Sequence, residues 1–461
     1  MSQYYPKTIH NHIFDYVDVG AQQIAQIAEN FVKENYVSKE DIIRFFKESL
    51  SNFLHSAGVE MTPLRKDEKK LLNFITSGKF TERLKKFVNY INSSPYLKHT
   101  GIFIDSGGYQ IAIGIIPKKA ILEYAPRYLQ FLKETDDFSI AFSMDIPADY
   151  PIVNNVNELY TLNSYTTRLI FEYGIEDKIT YVYHFRGKGL NYIWNQIMQK
   201  YNVFKYINKY AIGGFASHGK KPNIPFPMYI PQFVNVLGNA IKSKNPKLPK
   251  FHFHILGVSG FADFMQGILI ALASREFHNI ETHVTADSSR LFTQLARAYQ
   301  VEIFLENKLG KLEFKSKELH KRNKFFNKSN YELCMQCINY LNEKYNFKLP
   351  TTFKVYDDNG KINKIFLNAL ILYMMNNCQQ LIAHLINECK ELINYYKTRQ
   401  KSKFNMKVRE IFKELGMSHS FYANLDYWGG LELIESLNIN RAHQILNRLY
   451  DDFEVFKRKL A

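Results

Sequence analysis

An α/β barrel is the fold this 461-residue sequence predicts, and three observations carry the prediction. From residue 101, short and nearly continuous apolar runs alternate with longer stretches of helical periodicity, the pattern of parallel strands covered on both faces. The repeat is roughly 35 residues, which suits a TIM-type (β/α)8 barrel better than a short open sheet. A doubly wound sheet is the alternative. Seven strands can be read, at 101–104, 138–144, 179–184, 209–213, 251–257, 280–285 and 301–304. The helices between them fall near 118–134, 155–173, 190–203, 229–243, 261–275 and 289–298. An eighth strand is expected in the first 30 residues, around HIFDYVDVG, or is irregular.

Taken in order, residues 1–95 read as a mainly helical N-terminal segment. AQQIAQIAENFVKENY and SKEDIIRFFKESLSNFL carry apolar residues at three- and four-residue spacing. Ser38 is placed to cap the second helix, with Asp41 three residues on, and Thr81 is expected to cap a third, TERLKKFVNYI. Residues 96–305 hold the barrel, 306–400 a basic, cysteine-containing helical subdomain, and 401–461 a helical tail. Within that tail, VREIFKELGMSHSFYANL fits a helical hairpin better than a helix-turn-helix.

The 60 Lys and Arg against 44 Asp and Glu give a formal charge of +16, which favours a polyanionic partner through counterion release. The chain is rich in Lys throughout, so charge alone does not decide for nucleic acid. Basic runs at 242–250, 308–328 and 397–409 are candidate backbone contacts, or simply solvated faces. Four cysteines in this length do not make a disulfide framework. The longest apolar stretch, Ile365 to Met375, is too short to span a bilayer. With no secretory leader read at the start, a soluble, cytoplasmic protein is expected.

In such a barrel the chemistry gathers at the carboxyl ends of the strands. Those ends are Asp105, Asp145, His184-Phe185-Arg186-Gly187, Gly213-Gly214, Gly257-Val258-Ser259-Gly260 and Asp287-Ser288-Ser289. Asp105 opens the run Asp105-Ser106-Gly107-Gly108-Tyr109-Gln110, a carboxylate, a hydroxyl and two glycines suited to close approach by a flat ligand. Two carboxylates flanking an anomeric carbon can perform glycosyl transfer, one as nucleophile and one as proton donor. A third, Asp145, can read donors on a purine edge. Each Asp can equally be a helix N-cap in a βα loop.

These residues carry a family resemblance. DSGGYQ at 105–110 resembles the DSGGFQ signature of tRNA-guanine transglycosylases, and YAIGGFA at 210–216 is similar to that family's YAIGGLA. SMDIPADY at 143–150 resembles the segment with the base-recognition Asp, FHILGVSG at 253–260 resembles VHLFGAG, and ADSSRLFTQLARAY resembles the archaeal segment around the nucleophile. The order agrees over roughly residues 100–300. The resemblance implies a base-exchange enzyme that needs no organic cofactor. Asp287 would be the nucleophile on C1′ of a guanosine. Asp105 would be the acid that releases guanine and the base that deprotonates the incoming 7-deazaguanine. Asp145, Gly213 and Gly214 would hold the base, with Ser106, Gly107, Gly108, Gln110 and Gly257 in the same pocket and Tyr109 stacking. The family's VQG glutamine is replaced at His184-Phe185-Arg186-Gly187, so base reading would differ there, through His184 and Arg186.

The family's zinc element is altered. Its first cysteine position holds Glu332, leaving Cys334, Cys337 and Cys378 as three ligands, with Glu332, His384 or Cys389 as the fourth. Buried cysteines packing as small apolar groups are the alternative. Features that would tie the chain to transfer RNA are missing: no basic run follows Asp287, and no archaeal-type RNA-binding segment is recognisable at the C-terminus. The chain is therefore more similar to the branch that inserts 7-deazaguanines, such as 7-cyano-7-deazaguanine, into DNA in phages and bacterial modification islands (the DpdA type). That branch implies a host-cytoplasm location if phage-encoded, and a homodimer or accessory modification proteins as further partners. A tRNA enzyme with unusual ends and a non-catalytic, nucleic-acid-binding barrel of the same family are the rivals. A sugar-cleaving retaining glycosidase explains neither the glycine turns nor the +16 charge.

Overall fold

The computed structural model describes residues 13–147, 155–185, 187–213, 224–258, 260–287, 300–306, 312–318, 328–354, 363–415 and 424–449. Eight parallel strands close into a barrel: β1 (Phe14–Val19), β2 (Asn52–Ser56), β3 (Gly101–Asp105), β4 (Ile140–Phe142), β5 (Ile179–Tyr183), β6 (Lys209–Ile212), β7 (Lys250–Ile255) and β8 (Glu281–Asp287). The ring shuts where β1 meets β8, with Phe14 opposite Val284 and Val17 opposite Asp287. Asp105 stands opposite Ser56 across β2 and β3.

Successive side chains on a strand face opposite ways, and most strands here are buried on both faces. Val17, Phe103, Ile140, Phe142, Val182 and Ala211 form a small cluster inside the barrel. Their neighbours Tyr16, Ile102, Ala141, Tyr181, Tyr183 and Tyr210 belong to the larger core between the sheet and its helices. This two-sided burial is why the strands read as continuous runs.

Strand β1 falls where an eighth strand was expected. The stretch at 301–304 does not join the barrel. It lies in β9 (Gln300–Glu306), which pairs antiparallel with β10 (Leu312–Glu318) in a separate hairpin. The place it was expected to fill is taken by β2, which the sequence reading absorbed into the second helix. That helix ends at Ser49, and Ser51 and Asn52, weak helix formers, mark the change. Residues 1–95 thus contribute two barrel strands besides helices. Ser38 does cap its helix, accepting from the Asp41 N–H at 3.0 Å. Thr81 does not: the helix begins at Lys79 behind Gly78, and the Thr81 hydroxyl donates to the Gly78 carbonyl. The helix expected at 289–298 lies outside the described residues.

The C-terminal helices lie against the barrel's outer helices. The 34-residue helix Lys364–Lys397 packs along helix Phe261–His278. Helix Ile439–Leu449 packs on Gly187–Lys200 and Ile230–Lys242, and His278 Nε2 bonds the Ile434 carbonyl at 2.7 Å. No helix among the described residues is long and apolar enough to cross a membrane.

Candidate active site

Three carboxylates stand at the carboxyl-terminal mouth of the barrel. Asp105 is the last residue of β3, Asp287 the last of β8, and Asp145 follows β4 by three residues. The strand ends beneath them are fastened by buried hydroxyls. The Tyr128 hydroxyl lies 3.1 Å from the Ile104 carbonyl and 2.8 Å from that of Phe142, bridging β3 to β4. The Tyr124 hydroxyl donates to the Ser106 carbonyl at 2.5 Å. Asn163 clasps the turn after Asp145, accepting from the Ile146 N–H at 2.8 Å and donating to its carbonyl at 3.1 Å.

Asp287 is held by two donors on one oxygen. Its Oδ1 accepts from the Gly257 N–H and from His254 Nε2, each at 3.0 Å. His254 is fully buried and sits against Phe142, ring centroids 4.6 Å apart. Its other nitrogen, Nδ1, lies 2.6 Å from the Thr285 hydroxyl, which lies 2.8 Å from His252 Nε2. One set of proton positions satisfies the whole chain: His252 Nε2–H donates to Thr285, Thr285 to His254 Nδ1, and His254 Nε2–H to Asp287. Burial holds His252 well below the usual histidine range, and its Nδ1 has no partner among the described residues, consistent with a neutral Nε2–H ring. Beside it His283 Nε2 meets the fully buried Asp15 at 2.9 Å. Toward β7, β8 and the start of β1 the barrel interior is therefore a polar column, while Phe103, Ile140, Phe142, Val182 and Ala211 make its apolar part.

Asp105 behaves differently. Its carboxyl is pushed up to about 7, first by burial and then by the negative charges of Asp145 and Asp287, against the opposing hydrogen bonds of Ser56 and the Gly107 N–H. It keeps part of its side chain in solvent at the mouth. The two strand-end acids thus stand in unlike environments, one fixed by two donors and one poised to carry a proton near neutral pH.

Asp145 Oδ2 meets His184 Nε2 at 2.7 Å, and both side chains are nearly buried. Two glycines make room for this pair. A Cβ on Gly108 would sit 2.6 Å from Asp145 Oδ1, and one on Gly213 would sit 2.7 Å from His184 Cε1. Gly107 takes φ 88° and lies against Gly58, where a Cβ would meet the Gly58 Cα at 2.7 Å. Gln110 accepts from the Ser56 hydroxyl at 3.0 Å. The Ser106 hydroxyl is buried with no partner among the described residues. Tyr109 is 56% exposed on the helix opening from Gly108, free to cover a flat ligand.

Thus Asp105, Ser106, Gly107, Gly108, Tyr109, Gln110, Asp145, His184, Gly213, Gly257 and Asp287 lie at or beside one end of the barrel. Arg186 and Gly214 lie outside the described residues. The sequence reading missed His254, His252 and Thr285. Their signal was there: His252 and His254 alternate along β7, as His283, Thr285 and Asp287 do along β8, the period that puts residues on one face.

The expected zinc ligands stand on two helices: Glu332, Cys334 and Cys337 on Lys328–Tyr345, and Cys378, His384 and Cys389 on Lys364–Lys397. All four cysteines, Cys334, Cys337, Cys378 and Cys389, are buried, and none forms a disulfide. Burial pushes the Cys334 thiol up to about 12 and raises those of Cys337 and Cys389. Cys337 donates to the Leu333 carbonyl at 3.2 Å. Among the described residues the donor side chains close enough for one ion are His384, Glu388 and Glu414, without Glu332 or any cysteine. Lys407 already occupies Glu388 there, at 2.6 Å.

No protein-family model and no curated protein matches this sequence.

Proposed function

We propose that the chain is a base-exchange glycosyltransferase that replaces guanine in DNA with a 7-deazaguanine. The observation that carries this reading is the division of labour between the two strand-end carboxylates. Asp287, with Oδ1 engaged by His254 and Gly257, is a fixed carboxylate whose other oxygen can attack C1′. Asp105, with its proton held near pH 7, is matched to proton transfer in both directions.

The reaction divides accordingly. An Asp287 oxygen forms a bond to C1′ of the target nucleotide as the glycosidic bond breaks, and Asp105 gives its proton to the departing guanine. The incoming 7-deazaguanine then loses its ring N–H proton to Asp105, its nitrogen bonds C1′, and the Asp287 ester bond breaks. Asp145 accepts from the base edge, the unpartnered Ser106 hydroxyl supplies a further contact, and Tyr109 covers the ring. A guanine inside a duplex does not reach such a mouth, so the target base is flipped out or locally single-stranded.

Incubation with radiolabelled guanine and either duplex DNA or bulk tRNA tests the proposal. Label should enter DNA and an Asp287→Ala variant should incorporate none. Label entering only tRNA would overturn the choice of polymer, and label entering neither would overturn the reaction.

A further inference from the structure

The connection from β2 to β3 is long and carries its own groove. It comprises a 3-10 helix, Ala57–Leu64, and two α-helices, Glu68–Thr76 and Lys79–Ser93. Residues 57–93 contain eight Lys or Arg (65, 66, 69, 70, 79, 83, 85, 86) against four acids (60, 67, 68, 82). Between the helices lies a groove of about 400 Å³. Lys70 stands on one wall and Lys79, Arg83 and Lys86 on the other. The last three recur at i, i+4 and i+7 and so share one face, over ~10 Å of helix.

The groove has an aromatic floor. Phe74 is buried, with the Arg83 guanidinium 4.9 Å above its ring. Local acids do not neutralise the whole face. Lys70 pairs with Asp67 and Lys86 with Glu82, both exposed pairs of little strength, and Arg83 lies 3.7 Å from the Glu60 carboxylate. Lys79 makes no ion pair among the described residues.

Its position ties it to the site. The 3-10 helix leaves the carboxyl end of β2 directly, with Gly58 against Gly107 and Gln110 beside Asp105. Its last residue, Leu64, lines the groove. Arg83 also reaches the Glu60 carbonyl at 3.4 Å, and Glu60 bonds His55 of β2 at 3.0 Å. Groove and mouth are thus joined by ~16 Å of 3-10 helix. The basic loop at 242–250, by contrast, runs into the first residue of β7 and so lies at the opposite end of the barrel.

We infer that this groove binds the phosphodiester backbone of DNA beside the nucleotide delivered to Asp105 and Asp287. The inference rests on the nucleic-acid reading above. A flipped base leaves its strand at the rim of the mouth, where a row of exposed cations over an aromatic ring suits the adjacent phosphates.

The test measures binding of a fluorescent 30-base-pair duplex at several salt concentrations. It compares the full chain with Lys70→Gln/Lys79→Gln/Lys86→Gln and with a control at the far end, Lys242→Gln/Lys244→Gln/Lys250→Gln. All six lysines are exposed, so folding should survive, and the unfolding temperature checks it. The groove variant should bind at least about tenfold more weakly near physiological salt, with the log–log salt slope reduced by about 2 to 3 for three lost phosphate contacts. The control should leave the slope nearly unchanged. An unchanged slope in the groove variant, or an equal loss in the control, would overturn the groove assignment. Guanine exchange by the wild-type chain, measured in parallel, separates the two ideas. Exchange with an unaltered groove-variant slope refutes the groove alone; duplex binding without exchange refutes the reaction alone. Absence of duplex binding refutes both.

Discussion

Replacing Asp105 by Asn should make the protein more stable at alkaline pH while abolishing exchange. The carboxyl moves from its ordinary 3.8 to about 7 on folding, chiefly through burial and then through the charges of Asp145 and Asp287. Below about pH 4 folded and unfolded chains are both protonated, and Asp105 contributes nothing to the pH dependence. Between pH 4 and 7 the folded chain keeps a proton that the unfolded chain has released, so stability falls as pH rises. Above pH 7 the whole cost is present. At 1.36 kcal/mol per pH unit the ceiling is about 4 kcal/mol. Because part of the side chain faces solvent at the mouth, a gain of roughly 1–3 kcal/mol is expected. Asn keeps the shape and can still accept from the Gly107 N–H, which Asp105 engages at 3.1 Å. Urea unfolding of both proteins at pH 4.5, 6 and 8 reads the difference directly. The advantage of the variant should be smallest at the lowest pH, about a quarter of its full size, and largest at the highest. A pH-independent difference, or a variant less stable at pH 8, would refute the account of Asp105 as a destabilising, proton-holding carboxyl.

Three further outcomes follow from the same geometry. His254→Ala removes one of the two donors on Asp287 Oδ1, so kcat for exchange should fall about 10- to 100-fold with the KM for free base nearly unchanged; equal changes in both would point to a binding role instead. Gly213→Ala drives a Cβ to within 2.7 Å of His184 Cε1, which should displace the Asp145 pair, raise the KM for base and cost about 1–3 kcal/mol; a variant with unaltered KM would remove Asp145 from base recognition. Treating the protein with a strong chelator should leave its unfolding temperature unchanged, since the four cysteines are buried among the apolar side chains of the core; a large drop accompanied by released zinc would show that the C-terminal region is built on a metal.

Much of the site was legible because strand-end chemistry is local. Asp105 closes a continuous apolar run and Asp287 a run of alternating polar and apolar residues, both at strand ends, so a barrel reading alone puts them at one mouth. Strand β2 was not legible in that way. Its five residues follow an amphipathic helix with no Gly or Pro between, and only pairing with β1 and β3 makes them a strand. The hairpin strand β9 is the converse, a β-rich run whose partner is β10 and not the barrel.

What the amino-acid sequence determined alone was therefore the α/β barrel and the carboxyl-end location of the acids and glycines. These depend on period and propensity, which act over a few residues. Tertiary structure decided the rest, because each remaining property is a distance between segments far apart in the chain. Asp287 meets His254 from 33 residues away. Asp145 meets His184 from 39 residues away. The proton on Asp105 is set by burial and by the charges of Asp145 and Asp287.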